Sequence, residues 1–227
     1  MNKDSVLYTV LFSLGVTFLL VLPLSVANEL TKDKVKENQQ VASALSILQA
    51  MAIPADKNDA KSVIATFDAL DKFRLEGDKL VTVTTSEVRE AERLKRPYDP
   101  LYFRSKSGDL ATWAGAFTGQ GLWGNLVLAV GFDGLISKFT GVQVIAHVET
   151  PGLGARVAEP WFLNQFLGQQ VPSSGALAFV NGSGAGDSDK ENDTVDGVTG
   201  ATITTKGFVA TVNSAVAQMK QLTGGVQ

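Results

Sequence analysis

The most constraining feature of this sequence is an uncharged, apolar run near its start, over residues 6–27. At 1.5 Å per residue a helix of this length spans roughly 33 Å, against about 30 Å for the hydrocarbon core of a bilayer. Because backbone polar groups must be hydrogen-bonded internally in lipid, the run predicts a transmembrane helix. We expect Pro23 to kink or end that helix. Residues 1–28 are therefore predicted to be a membrane anchor, with membrane lipid as a partner.

A cleaved signal peptide is the alternative interpretation of the same run. Ser25-Val26-Ala27 has the small-x-small pattern of a cleavage site, and Lys3 supplies a short charged region before the apolar core. The apolar core is longer than that of an ordinary signal peptide, which favours the anchor.

Charge around the anchor bears on which side of the membrane the rest of the chain occupies. Lys3 precedes the apolar run, whereas Lys32, Lys34 and Lys36 follow it closely. The positive-inside rule, applied to these lysines, places the C-terminal part in the cytoplasm.

Composition excludes several classes of function. The formal net charge is −3, so there is no electrostatic footprint for nucleic acid. The chain has no cysteine, which excludes disulfides, thiol chemistry and cysteine-held iron–sulfur clusters. A single histidine does not make a histidine-rich metal site. We predict no metal site and no catalytic residue, so any redox role requires a bound organic cofactor.

Hydrophobic spacing predicts a helical and strand-containing segment over residues 29–98. Residues 28–51 have helical spacing that should end at Pro54, and residues 56–75 carry a second helical pattern. Residues 80–84 alternate and are β-branched, which predicts a strand. The charge-dense run 87–96 is typical of a solvated helix or loop. We interpret this part as a juxtamembrane helix that lifts the domain off the bilayer, followed by an elaboration of the domain or a surface for partners.

Residues 99–227 show a series of strand signals separated by turns. The expected strands are 101–104, 111–117, 126–132, 136–147 and 177–180, and Asp133-Gly134 predicts a β-hairpin. A short helix is expected at 161–166, a flexible loop at 181–194, and a C-terminal helix capped by Thr204 or Thr205. The predicted fold class is α+β: a twisted antiparallel sheet with helices packed on one side, after an N-terminal transmembrane helix.

The turn that precedes the C-terminal helix, Asp196–Thr204, combines glycines with hydroxyl side chains. A helix N-terminus offers unpaired N–H groups and the positive end of the helix dipole, so it suits a phosphate. Glycines let the backbone approach a ligand closely. On these local grounds alone, an ordinary capped helix is the commoner explanation.

Three motifs in order resemble the FMN-binding domain family. They are Gly119-Gln120-Gly121-Leu122-Trp123-Gly124, Glu149-Thr150-Pro151-Gly152-Leu153-Gly154, and Thr199-Gly200-Ala201-Thr202 after Asp196-Gly197. That family includes the C subunit of the sodium-pumping NADH:quinone oxidoreductase and the G subunit of the related Rnf complex. The Gly-Leu-Trp turn is more similar to the sodium-pump protein.

The resemblance implies a covalent FMN, joined through its phosphate to Thr202. A free threonine hydroxyl is a poor nucleophile, so a separate flavin transferase that moves FMN from FAD is implied as a partner. Thr199 and Thr204 could donate hydrogen bonds to the phosphate or simply cap the helix, beside Gly200 and Ala201. Asp196 could orient the hydroxyl or the transferase's metal.

The upstream motifs would then bind the flavin ring. Pro151 and Gly152 favour a rigid turn that can lie close to a flat ring, with Thr150 beside them and Leu153 covering an apolar face. Glu149 could accept a hydrogen bond or cap a turn, and Trp123 could stack on the ring. Locally, a Pro-Gly turn without ligand and a core or interface tryptophan explain the same residues. His147 is expected to be a hydrogen-bonded structural histidine.

The resemblance implies an electron-carrying subunit of an ion-translocating NADH:quinone oxidoreductase. NADH oxidation and quinone reduction would belong to partner subunits of a bacterial inner-membrane complex. The domain would lie on the periplasmic side after a single membrane pass, contrary to the positive-inside rule. One alternative is the Rnf protein, in a complex that takes electrons from ferredoxin. The other, of a different class, is an anchored extracytoplasmic binding module without covalent flavin.

Overall fold

The structure, a computed structural model, describes residues 6–76, 79–88, 101–105, 111–181 and 184–224. Its contacts divide the chain into two compact units, Met1–Val41 and Ala42–Gln227. The predicted boundaries at residues 28 and 98 stay predictions.

The first helix, α1, is continuous over Val6–Ala50 and contains Pro23. The prediction that Pro23 ends the helix is wrong, whereas a kink there stays a prediction; the predicted helix 28–51 is part of the same element. A proline removes one backbone hydrogen bond, but helical residues on both sides retain theirs, so the helix continues. Among the described residues, α1 is the one helix long and apolar enough to cross a membrane, and no part of its apolar window is buried by the protein.

The end of α1 is closed by two backbone hydrogen bonds of the Schellman type. Ile53 N–H donates to the carbonyl of Leu48 at 2.9 Å, and Ala52 N–H donates to that of Gln49 at 3.0 Å. Ala52 adopts a left-handed conformation, with φ 54°. Pro54 follows directly, so the predicted end of this helix is confirmed.

Six antiparallel strands form the main sheet. They are β1 (Asp71–Glu76), β2 (Lys79–Thr82), β3 (Leu101–Arg104), β4 (Trp113–Gln120), β5 (Asn125–Phe132) and β6 (Phe139–Ala146), in the spatial order β2-β1-β3-β4-β5-β6. From β3 onward each strand pairs with the next one in sequence, as strands joined by short turns usually do. The predicted α+β class with an antiparallel sheet is confirmed.

The predicted helix over 56–75 is partly wrong. Helix α2 covers only Ala60–Asp68, where the Asp59 carboxylate accepts the N–H groups of Lys61 and Ser62 as an N-cap. Residues 71–76 form β1 instead, because pairing with β2 on one side and β3 on the other overrides their helical spacing. Of the charge-dense run 87–96, residues 87–88 belong to a helical stretch that begins at residue 85, and the rest lies outside the described residues.

The hairpin predicted at Asp133-Gly134 is confirmed as the β5–β6 connection, but its turn is longer than expected. Asp133 N–H donates to the carbonyl of Lys138 at 3.0 Å, which closes the loop. The left-handed residue is Ile136, with φ 53°, and not the glycine. Burial of the Ile136 side chain in the core offsets the strain of that conformation.

The sheet has helices on both faces, whereas one face was predicted. The C-terminal helix α4 (Thr202–Gly224) packs on the face that carries the even-numbered side chains of β5. On the other face a Cβ at Gly131 would lie 1.9 Å from the carbonyl oxygen of Ala50, so the end of α1 contacts the sheet there. Thr140 donates its hydroxyl to the same carbonyl at 2.7 Å. Strand β5 is therefore apolar on both sides.

Smaller elements connect β6 to α4. They are a 3-10 helix (Gly154–Ala158), helix α3 (Pro160–Leu163), and the parallel pair β7 (Ala178–Val180) and β8 (Thr194–Asp196). The predicted short helix and strand are present at 160–163 and 178–180. The loop predicted for 181–194 ends in β8. The side chains of Gln165 and Gln169 form hydrogen bonds with the backbone of the loop, at Asp187 and Asn192, and with that of β8, at Asp196.

Candidate functional site

Three loops meet at the side chain of Glu149, which is only 4% exposed. Its Oε1 accepts the backbone N–H of Trp123, in the turn between β4 and β5, at 3.0 Å. Its Oε2 accepts the hydroxyl of Thr204, in the first turn of α4, at 2.5 Å. Charge-assisted hydrogen bonds of this kind are stronger than neutral ones. One buried carboxylate therefore links the two upstream motifs to the first turn of α4, two residues after the end of the third motif.

Two glycines make room for this carboxylate. A Cβ at Gly121 would lie 2.4 Å from Oε1 of Glu149, and a Cβ at Gly154 would lie 2.5 Å from Oε2. Any larger residue at either position would have to displace the carboxylate. The glycines of the two upstream motifs thus have a steric role.

The Thr150–Leu153 segment is a type II turn. Leu153 N–H donates to the carbonyl of Thr150 at 3.2 Å, and Gly152 has φ 73°, as the third position of this turn requires. Pro151 at the second position fixes the preceding φ. The turn therefore presents the Leu153 side chain to solvent on a rigid support.

His147 lies just before this turn and faces the backbone. Its Nδ1 accepts the N–H of Glu149 at 3.1 Å. This contact agrees with the structural role expected for His147.

Helix α4 begins at Thr202, earlier than predicted. Thr205 N–H donates to the carbonyl of Ala201 at 2.9 Å, so Thr204 and Thr205 lie inside the first turn and neither is the N-cap. Gly200 has φ 81°, which sets the sharp entry into the helix. The N–H groups of residues 202–204 precede the first intrahelical hydrogen bond, as at every helix N-terminus.

Burial separates the hydroxyls of this turn into two groups. Thr199 and Thr202 are exposed, whereas Thr204 and Thr205 are buried. Thr204 donates its hydroxyl proton to Glu149, and Thr205 accepts the N–H of Val198 at 3.1 Å. Thr199 and Thr202 therefore offer hydroxyls to a ligand, while Thr204 acts inside the protein.

Exposed apolar side chains surround this helix start. Five large ones come from the two upstream loops and the first turn of α4 and are between 48% and 68% exposed: Leu122, Trp123, Val148, Leu153 and Ile203. A Cβ at Gly200 would lie 4.0 Å from Leu153, and one at Gly124 would lie 2.5 Å from Val148, so the loops are adjacent. Exposed apolar surface concentrated in this way marks a ligand or partner site.

Asp196 is held at the edge of this site by Gln165, which sequence reasoning missed. The Gln165 side chain accepts the N–H of Asp196 at 2.6 Å and donates to its carbonyl at 3.1 Å. It also accepts the N–H of Asp187 at 2.9 Å. The sequence signal for this role was the position of Gln165 between the aromatic residues of the segment 161–166.

Comparison with known proteins agrees with this geometry. Residues 121–217 match the FMN-binding domain family. The chain is 26% identical to the C subunit of the Na(+)-translocating NADH-quinone reductase of Pseudomonas aeruginosa, over 91% of this chain and 89% of that protein. It is 32% identical to the G subunit of the ion-translocating oxidoreductase complex of Methanosarcina acetivorans, over 51% of this chain and 56% of that protein.

A solved structure has the same fold. The C subunit of the Na(+)-translocating NADH-quinone reductase from Parabacteroides distasonis superposes with a TM-score of 0.65 at 25% identity, over 85% of this chain and 96% of that one. The family resemblance inferred from the three motifs is thus confirmed. The matched segment contains Trp123, Glu149 and Thr202.

Proposed function

We propose that this chain is an FMN-carrying subunit of an ion-translocating oxidoreductase complex, with the FMN joined through its phosphate to Thr202. One observation carries the proposal. Thr202 is the first residue of helix α4, its side chain is exposed, and it lies inside the segment that matches the FMN-binding domain family. The chain's own residues would bind and orient the cofactor, and the flavin would supply the electron-carrying chemistry when bound.

The start of α4 fits the phosphate. Thr202 is the first helical residue, so a phosphoester on its hydroxyl lies beside the free N–H groups and the positive end of the helix dipole. Gly200 and Ala201 shape the approach, and the exposed hydroxyl of Thr199 is available to donate a further hydrogen bond.

The apolar rim fits the flavin ring. Trp123 offers an exposed aromatic face, and Leu153 offers an apolar side chain on the rigid turn made by Thr150 and Gly152. Glu149 fixes the backbone of the Trp123 turn relative to α4. In this proposal Glu149 and Thr204 set the gap between the ring-binding side chains and the attachment point, without touching the ring.

Attachment requires an outside catalyst. The Thr202 hydroxyl is exposed to solvent, as access by a flavin transferase requires. In the transfer, the Thr202 oxygen–phosphorus bond forms, the phosphoanhydride bond of FAD breaks, AMP leaves and the hydroxyl proton is lost. Asp196, whose backbone Gln165 holds beside this turn, would orient the hydroxyl or the transferase's metal.

We place the chain in a bacterial inner membrane, with α1 as a single-pass anchor and the C-terminal domain on the periplasmic side. The length and composition of α1 support the anchor, and the similarity to proteins of ion-translocating complexes supports the membrane. A C-terminal alkaline phosphatase fusion should be active and a green fluorescent protein fusion dark, since each reporter works on one side only. The opposite pair of results would place the domain in the cytoplasm, as the lysines after the anchor predict.

Among the possible complexes, we favour a sodium-translocating NADH:quinone oxidoreductase, in which other subunits hold the NADH and quinone sites. The similarity to the quinone-reductase protein extends over 91% of this chain and 89% of that protein, against 83% and 77% for the G subunit of the ion-translocating oxidoreductase complex of Shewanella baltica. The G subunit of an Rnf-type complex is the second candidate. A binding module without covalent flavin, which would hold a non-covalent ligand at the same apolar rim, is the candidate of a different class.

The decisive experiment measures flavin fluorescence of the full chain in a denaturing gel after co-expression with a flavin transferase. Denaturation releases any non-covalent flavin, so a fluorescent band reports a covalent bond. We expect the wild type and Thr199→Ala to fluoresce and Thr202→Ala to be dark. A dark wild type, with the transferase active on a control protein, would overturn the covalent-flavin proposal and favour the binding module.

A further inference from the structure

Helix α4 exposes a stripe of residues that begins at Thr202. Thr202, Lys206 and Ala210 are exposed, while Thr204, Thr205, Phe208 and Val209 between them are buried. Exposure at every fourth residue means that the exposed residues lie above one another on the solvent side of the helix. Lys206 is therefore the next exposed residue of that stripe after the proposed attachment point.

The direction of helical side chains brings the Lys206 ammonium toward Thr202. Cβ atoms four residues apart on a helix are about 5–6 Å apart, and every Cα–Cβ bond tilts toward the helix N-terminus. A long side chain at position 206 thus lies over the turn that contains Thr202. Among the residues that the structure describes, Lys206 forms no ion pair, so its ammonium can pair with an anion bound at the start of α4.

Neither of the site's described carboxylates, Glu149 and Asp196, forms an ion pair with this ammonium. Glu149 is buried and is bonded to Thr204, which lies on the sheet-facing side of α4. Lys206 lies on the solvent side of the same helix. Within the described part of the site, the Lys206 ammonium is therefore available to an anionic group attached to Thr202.

We propose that Lys206 is a positioning residue for the cofactor phosphate and pairs with its negatively charged oxygen. This inference rests on the proposed attachment of FMN to Thr202. A phosphodiester keeps one negative charge at all physiological pH values, whereas the free hydroxyl carries none. The pair would therefore form only when the cofactor is attached. It would restrict rotation about the single bonds that join the ring to Thr202, and so hold the ring against Trp123 and Leu153.

The test compares the thermal stability of the full chain in detergent with and without attached flavin. For the wild type and Lys206→Gln, the gain in Tm on attachment is measured, and the difference between the two gains isolates the pairing. An exposed pair four residues apart stabilises a helix by about 0.3–0.5 kcal/mol, so the gain should be smaller by about 1–2 °C in Lys206→Gln. In 1 M salt, where charges are screened within about 3 Å, the difference should vanish.

A relocated lysine supplies the matched control. The double variant Lys206→Gln/Ala210→Lys keeps the net charge but moves the ammonium four residues further, about 6 Å along the helix. It should behave like Lys206→Gln, while Lys206→Arg should behave like the wild type. The ³¹P resonance of the phosphoester gives a second readout, which should shift in Lys206→Gln and not in Lys220→Gln.

Equal gains in Tm for wild type and Lys206→Gln, with an unshifted ³¹P resonance, would overturn the role of Lys206. A full restoration by the relocated lysine would also overturn it, because the effect would then reflect overall charge. Absence of covalent flavin from the wild type would instead overturn the proposed function on which this inference rests.

Discussion

Glu149 shows how one buried side chain can organise the loops of a site. Its carboxylate accepts a backbone N–H from the Trp123 turn and a hydroxyl from Thr204, and it fills space left by Gly121 and Gly154. A buried carboxylate is costly unless its oxygens are hydrogen-bonded. Here each oxygen has a partner on a different loop, so the loops cannot separate without leaving a buried charge unpaired.

Glu149→Ala should therefore destabilise the protein by about 2–4 kcal/mol, because two buried donors lose their acceptor. The isosteric change Glu149→Gln keeps the shape of the side chain and one acceptor oxygen, and should destabilise the protein by about half as much. Urea unfolding followed by far-ultraviolet circular dichroism measures both. Glu159→Ala, at a half-exposed carboxylate bonded to Trp161, is the control and should cost less than about 1 kcal/mol. Equal losses at Glu149 and Glu159 would contradict the organising role of Glu149.

A pH effect is expected from the loop that leads to β8. Hydrogen bonds from the Asn192 side chain and the Asp189 N–H hold the pKa of the Asp187 carboxyl below its usual value. Since the folded pKa is depressed, this stabilisation is present above the unfolded pKa and is lost as pH falls through the folded one. Asp187→Asn should therefore destabilise the protein at pH 7, with the difference from wild type shrinking below about pH 4. A difference independent of pH would show that the carboxylate charge is not involved.

At the scale of elements, the contact between α4 and β4 depends on the absence of a side chain at Gly207. A Cβ there would lie 1.9 Å from the carbonyl oxygen of Gln120, in the backbone of β4. Backbone atoms cannot move aside as a flexible side chain does. The start of α4, and with it Thr202, is thus seated directly on the end of β4.

Gly207→Ala should lower stability by about 1–3 kcal/mol, although alanine favours helices over glycine by about 1 kcal/mol. The steric cost outweighs the propensity because the helix must move off the strand. Ala210→Gly, on the exposed face of α4, measures the propensity effect alone and should cost about 1 kcal/mol. A stabilised Gly207→Ala protein in thermal unfolding would mean that α4 can shift freely on the sheet.

The end of α1 offers a stabilising substitution. Ala52 occupies a left-handed position that glycine adopts without strain, and relief of that strain is worth about 1–2 kcal/mol. Glycine also gains freedom in the unfolded chain, which offsets about 0.4–1 kcal/mol. Ala52→Gly should therefore raise the free energy of unfolding by about 0.5–1 kcal/mol in urea titrations. Ala50→Gly, at the last residue of the helix proper, should lower it.

At the scale of the whole molecule, the division into two units predicts where the chain can be cut. The unit Ala42–Gln227 keeps the end of α1, with Ile47, Leu48 and Met51 buried. A chain of residues 42–227 should fold and be recovered in the soluble fraction, because the apolar residues 6–27 are gone. A chain of residues 55–227 should aggregate or melt at lower temperature, since each lost buried side chain is worth about 1.5–3 kcal/mol. Equal stability of the two truncations would show that the end of α1 is not part of the core.

Features that depend on residues close together in the chain could be predicted from the amino-acid sequence. The prediction of a membrane anchor follows from an uncharged run long enough to cross a bilayer, and the end of α1 follows from Pro54. The alternating strands after residue 100 predicted an antiparallel sheet, and three short motifs predicted an FMN-binding domain over residues 99–227, of which residues 121–217 match that family. Each of these signals lies within a few positions along the chain, where periodicity and turn chemistry act.

Features that depend on contacts between residues far apart in the chain could be read only from the folded structure. Residues 71–76 form a strand because β3, some thirty positions later, pairs with them. Thr204 supports the site from inside the protein because Glu149, 55 positions away, accepts a hydrogen bond from its hydroxyl group. The sheet is covered on both faces because Gly131 admits the end of α1. A hydrogen bond or a close approach between such distant residues exists only once the chain has folded, so no local pattern can specify it.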